Sequence, residues 1–168
     1  AAPLEAMAGD SRIVTLIEQP GMAPGPARRR AGSDPHIWLD PRDAAKMVRA
    51  MVRALSGADA DNAARYKLNA DKVLAGLIAL DRELYQALKP IAVVPYLVFH
   101  DAYRTFEKRF DLASQGAIAL HPGRPPGAKR IKALRRMIVD EKIVCLFTEP
   151  QFTPALVKTL TEGTTMRT

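Results

Sequence analysis

The chain has 168 residues, of which 48% are hydrophobic and 26% charged, enough to bury a real core as one domain or as two small lobes. No stretch approaches the roughly 18 uninterrupted apolar residues of a membrane span, and the N-terminus Ala1-Ala-Pro-Leu-Glu-Ala-Met lacks the basic, apolar and small-residue segments of a signal peptide. A formal charge of +7 and a pI near 9.8 suit an acidic partner such as nucleic acid, while the single cysteine, Cys145, excludes an internal disulfide and leaves the redox compartment open.

In chain order, the apolar run Arg12-Ile-Val-Thr-Leu-Ile predicts a strand, and a core strand so near the start points to truncation. Residues 20–33 carry the proline and glycine density of an exposed loop around Arg28-Arg-Arg. Asp40-Pro41 reads as a helix start, Asp at the N-cap and Pro at the first helical position, with Met47, Met51 and Leu55 on one face and Gly57 as the break. From Asp59 to Leu88, Tyr66, Ala70, Val73, Leu77, Leu80, Leu84 and Leu88 recur every three or four positions, which predicts one long helix. That pattern alone equally fits one arm of a helical hairpin.

Beyond Pro90 the spacing predicts a buried strand over 91–99, a short helix over 100–110, a strand over 115–120, an amphipathic helix over 128–141, a strand over 143–147 and a helix over 153–161. Strands alternating with helices at these intervals argue a parallel sheet with helices on its faces. Thr164-Thr-Met-Arg-Thr168 opens a new segment and stops, so this end also reads as cut.

Few residues carry chemistry. There is no phosphate-cradling Gly-rich loop with Lys, no Gly-x-Ser-x-Gly elbow and no His-Glu-x-x-His pair. His36 lies in Ser33-Asp-Pro-His-Ile-Trp-Leu-Asp-Pro, and His100 lies at a strand-to-helix junction, where open α/β folds place ligand groups. Taken singly, each reads first as an ordinary half-buried histidine, and their separation carries no metal-ligand spacing.

Three phrases change that reading: Asp34-Pro-His-Ile-Trp-Leu-Asp-Pro41, Val98-Phe-His-Asp-Ala-Tyr-Arg-Thr-Phe-Glu-Lys-Arg-Phe110 and Cys145-Leu-Phe-Thr-Glu-Pro-Gln-Phe152. In this order they resemble the zinc-specific periplasmic solute-binding proteins of bacterial ABC importers. The resemblance implies an α/β fold of two parallel-sheet lobes linked by a long rigid helix. It divides this chain into 1–58, a remnant of an N-terminal lobe that is largely absent, 59–88, the interlobe helix, and 89–168, an incomplete C-terminal lobe. It further implies a periplasmic protein that is not an enzyme, with Zn2+ as its transported ligand and an ABC permease of the cytoplasmic membrane as its partner.

Carried over residue by residue, His36 and His100 match the family's second and third metal ligands. The first histidine lies upstream in the family, and the aspartate that often closes the site would fall just beyond Thr168. His121, in His121-Pro-Gly-Arg-Pro-Pro-Gly, reads as solvated loop and replaces neither. With two of four ligands the chain is expected to bind zinc weakly. Asp101 and Glu149 are the acids that could orient an imidazole, although Asp101 reads first as a helix N-terminal acid. Trp38 reads as core or lobe-interface packing and Cys145 as a buried small hydrophobe. Relatives often pair the equivalent cysteine with one near the C-terminus, a partner this chain lacks.

Other readings stay in view. Manganese or another divalent metal could replace zinc in the same family, although imidazole suits zinc better and manganese prefers oxygen. A nucleic-acid-binding module would use Arg124, Lys129, Arg130, Lys132, Arg135 and Arg136, but no aromatic residues interleave with these charges. A zinc hydrolase would need a general base beside a metal-bound water, and no acid is placed by sequence to serve.

Overall fold

The computed structural model describes residues 11, 13–18, 35–119, 126–150 and 154–168. The expected loop over 20–33 and His121 lie outside these residues. The chain forms two compact units, 1–82 and 83–168.

The first unit is helical. Helix α1 (Pro41–Ala58) starts as its sequence dictates: the Asp40 carboxylate accepts from the Arg42 backbone N–H at 2.8 Å, and Pro41 occupies the first turn, where its missing N–H costs nothing. Asp59 ends α1 and organises the next start, accepting from the Asn62 N–H, from Asn62 Nδ2 at 2.9 Å and from the Tyr66 hydroxyl at 2.7 Å. These bonds, Tyr66 first, hold the Asp59 carboxyl below its usual range and raise the Tyr66 phenol. After a 3-10 turn at Ala60–Asn62, helix α2 runs over Ala63–Leu88, 26 residues and about 39 Å at 1.5 Å per residue. Arg42, at the start of α1, reaches Asp81, far along α2, at 3.6 Å, so the two helices fold back on each other as a hairpin. The boundary between the units falls inside α2.

The expected strand over 12–17 is not formed. Residues 13–15 have no regular structure and Leu16–Glu18 make a 3-10 turn. No other strand lies among the described residues of this unit, and a lone strand cannot satisfy its N–H and C=O groups.

The second unit holds the parallel sheet that the alternation predicts. Strand β1 (Tyr96–His100) leads through α3 (Arg104–Phe110) to β2 (Ser114–Ala119), then through α4 (Ala128–Asp140) to β3 (Cys145–Phe147) and α5 (Pro154–Thr161). The order is β2-β1-β3, all parallel, with β1 central. Between Tyr96↔Ser114 and Val98↔Ala117 the second strand carries one extra residue, and Gly116 in that bulge sits at φ +103°, a conformation side chains resist. Arg167 adds a parallel bridge to Cys145 on the outer side of β3.

Alternation along β1 sends Leu97 and Phe99 to one face, where they join Ile118, Leu134, Ile138, Ile143, Leu146 and Leu160 in a closed core beneath α4 and α5. Arg135 of α4 fastens α5 to this layer by donating to the Thr159 carbonyl and, at 2.9 Å, to that of Glu162. On the opposite face Tyr96, Val98, Cys145 and Phe147 line an apolar groove of about 490 Å³ with Leu88, Ile91 and Phe106. Cys145 is a free, partly exposed thiol there, not a fully buried one.

Candidate metal centre

His100 is the last residue of the central strand, and the sheet register explains its neighbour. Val98 pairs with Phe147 across β1 and β3. Two residues beyond that pair, His100 at the end of β1 meets Glu149 just past the end of β3, with imidazole Nδ1 2.5 Å from the carboxylate Oε1. Each side chain is only 15% exposed. A charge-assisted bond of this kind fixes ring orientation and tautomer, as the carboxylates behind metal-binding imidazoles do. Tyr103 packs nearby with its ring centroid 6.3 Å from that of His100, and its phenol is raised by burial and then by the Glu149 charge.

Asp101 is placed differently. Its carboxylate takes the Arg104 guanidinium as a fork, from Nε at 2.6 Å and from Nη2, closing the turn between β1 and α3. Of the two acids singled out in the sequence, Glu149 therefore sits on the imidazole and Asp101 braces the turn beside it.

His36 belongs to the first unit. It is half-buried and immediately precedes a 3-10 turn at Ile37–Leu39, whose Leu39 N–H donates to the His36 carbonyl at 3.2 Å. Ile37, 2% exposed, anchors that turn, whereas Trp38 is 52% exposed and is not core. The reason is local: in a one-turn element Ile37 takes the inward position and its successor must point away. The Trp38 ring instead lies against His36, centroids 5.5 Å apart and planes inclined 58°. Among the described residues no group of three or more His, Cys, Asp or Glu side chains could hold a metal ion.

The basic segment of α4 is partly spoken for. Arg130 donates to the Ala117 carbonyl at 2.8 Å and Arg135 to the end of α5, so two of its cations serve backbone oxygens. Lys129, Lys132 and Arg136 share their surface with Asp140 and Glu141. No helix among the described residues is long and apolar enough to cross a membrane.

A parallel sheet with a long helix before it in the chain is a fold shared with proteins of known structure. A crystal structure of ZnuA matches it at a TM-score of 0.82 with 26% identity, covering 95% of this chain and 61% of that one. A zinc(II)-bound variant of AdcAII from Streptococcus pneumoniae matches at 0.70 with 23% identity, covering 79% and 48%, a likeness of fold. The chain belongs to the family of the periplasmic component A of zinc-uptake complexes, which it matches over residues 3–168. It is 42% identical over 135 residues to the high-affinity zinc uptake system protein ZnuA of Brucella abortus (strain 2308), a match covering 80% of this chain and 40% of that protein. The chain thus spans about 40% of the length of this curated relative.

Proposed function

We propose that this chain is part of a protein that captures zinc outside the cytoplasmic membrane and delivers it to an ABC permease, without catalysing a reaction. His36 and His100 are its zinc ligands here, and Glu149 orients His100. The observation that carries this reading is the bond from Glu149 to His100 Nδ1 at the carboxyl end of the central strand. It is what a metal-binding imidazole needs behind it. Family membership and the name of the Brucella abortus relative supply the direction of transport and the metal.

Zinc prefers four nitrogen, sulfur or oxygen donors, with Zn–N near 2.0–2.1 Å. The two imidazoles supply half of that set, so low affinity is expected of the chain alone. Nitrogen donors favour zinc over manganese, which takes oxygen.

Competition titration with a chromophoric chelator tests the reading. Weak zinc binding is expected near pH 7.5, fading as pH falls below about 6.5 because a ligating imidazole must be neutral. His100→Ala is expected to abolish it. A binding curve flat down to about pH 5.5, or undiminished binding in His100→Ala, would overturn histidine ligation.

A further inference from the structure

We propose that the cleft between α1 and α2 binds a phosphate monoester, with Arg49 and Arg82 holding the phosphate and an apolar floor beneath the organic part. The inference concerns the first unit alone and does not depend on how the histidines hold zinc.

The hairpin leaves a cleft of about 360 Å³ between its two helices, within the roughly 300–1,000 Å³ of small-molecule sites. Arg42, Lys46 and Arg49 line it from α1, and Asp81 and Arg82 from α2. Spacing explains the convergence. Residues 42, 46 and 49 stand at i, i+4 and i+7 on one face of α1, and the Arg42–Asp81 pair turns that face toward α2. Between the charges the floor is apolar: Ala45 is buried, Leu77 half-buried and Ile78 exposed.

The chain does not neutralise this cleft by itself. Asp81 meets Arg42 at 3.6 Å, and Asp43 takes the Lys46 ammonium at 2.7 Å. Arg49 and Arg82 have no ion pair among the described residues. Two exposed arginines are unremarkable singly. Here they share a cleft with two further cations, and like charges three or four positions apart on a helix destabilise it. Arg42, in the first turn of α1, also stands at the positive end of the helix dipole, where a cation is disfavoured. An anion in the cleft relieves both costs.

Charge and shape select the class of anion. Four cations against Asp43 and Asp81 leave an excess of two. A phosphate monoester brings about 1.5–2 negative charges near pH 7 and three strong acceptor oxygens, which arginine forks meet bidentately. A carboxylate brings half that charge. Inorganic phosphate would leave Leu77 and Ile78 uncovered, whereas the organic part of an ester lies on them.

Such an ester is either a soluble metabolite or a lipid head group, and two probes separate them. Glycerol 3-phosphate is titrated by calorimetry, and phosphatidylcholine vesicles with and without phosphatidic acid are used in co-sedimentation. Saturable binding of glycerol 3-phosphate assigns a soluble ester, and binding only to phosphatidic acid vesicles assigns a head group. Arg49→Gln with Arg82→Gln should weaken the binding roughly 10-fold. Arg65→Gln with Lys72→Gln removes the same charge from exposed positions sixteen and nine residues before Asp81, on the far face of α2 at 3.6 residues per turn. That pair should bind as the unaltered chain does. Equal losses in the two pairs would overturn the site, since general charge would then explain the binding. Failure of the unaltered chain to bind either probe would overturn it without any substitution. Zinc binding should be the same in both pairs, so the outcome here is separate from that for the histidines.

Discussion

The two units bury different things. In the second, one sheet face and two helices enclose Leu97, Phe99, Ile118, Leu134, Leu146 and Leu160, several of them with no solvent exposure. In the first, the buried apolar residues described are Ile37, Ala45, Ala50 and Ala70, with Pro41. Its larger side chains remain exposed, Met51 at 40%, Leu55 at 46% and Val73 at 49%. Both helices of the first unit carry clear apolar stripes in the sequence. A stripe states which face a helix would bury, and only a second layer closes it. The sheet supplies that layer in one unit, and the hairpin of α1 and α2 does so only at its alanines.

The contrast is sharpest in the response to truncation of a leucine. Leu97→Ala, at the fully buried centre of the sheet, should lower stability by about 2–5 kcal/mol in urea denaturation. Leu55→Ala, on the half-exposed stripe of α1, should cost less than about 1 kcal/mol. Equal losses at the two positions would show that the stripe of the first unit is covered in solution.

The candidate ligands also differ in surroundings: a carboxylate meets Nδ1 of His100, and the tilted Trp38 ring lies near His36. Glu149→Ala should weaken zinc binding by about 10- to 100-fold, read by chelator competition. Undiminished binding would mean that the carboxylate does not orient the imidazole.

Smaller effects follow from titration. Burial, then the charge of Glu107 and the hydrogen bond that the Tyr96 hydroxyl donates to it at 3.3 Å, raise the Tyr96 phenol well above its usual value. A raised acid favours the folded state below its ordinary pKa, so this contribution is full below about pH 10 and lost as pH climbs further. Tyr96→Phe should flatten that alkaline loss. Asp59 in the first unit runs the other way. Its lowered carboxyl stabilises the fold above about pH 4 and ceases to do so as acid protonates it. Asp59→Asn should make the helicity of α1 and α2 less sensitive to acid, a change read by circular dichroism.

Much of this was legible from residues alone, and for identifiable reasons. Asp40-Pro41 specifies a helix start through two independent effects, and the alternation after Pro90 specifies parallel pairing. The strand expected over 12–17 failed because an apolar run states a preference, whereas a strand exists only by its partners. The first strand proved shorter than its apolar run: Lys89–Ile91 form a 3-10 turn and pairing begins at Tyr96, next to Pro95. The partnership of His100 and Glu149 depends on register. Both residues were visible at strand ends, but only the pairing of Val98 with Phe147 sets them opposite each other. Asp101 was visible for its adjacency to His100, yet Arg104, three residues on and across a tight turn, claims it. Trp38 is not core, because a one-turn element gives the inward place to Ile37.

The centrality of β1 has a further consequence during synthesis. Both of its ladders are made with segments that lie later in the chain. Leu97-Val98-Phe99 therefore leaves the ribosome before either of its two partner strands. At roughly 5–20 residues per second, translation from His100 to Cys145 takes roughly 2–9 s. Throughout that interval the edge of this strand that β3 will cover is open to pairing with other chains, a hazard that grows with its residence in that state. The position that brings His100 beside Glu149 in the finished sheet also makes its strand dependent on shelter while the sheet is being made.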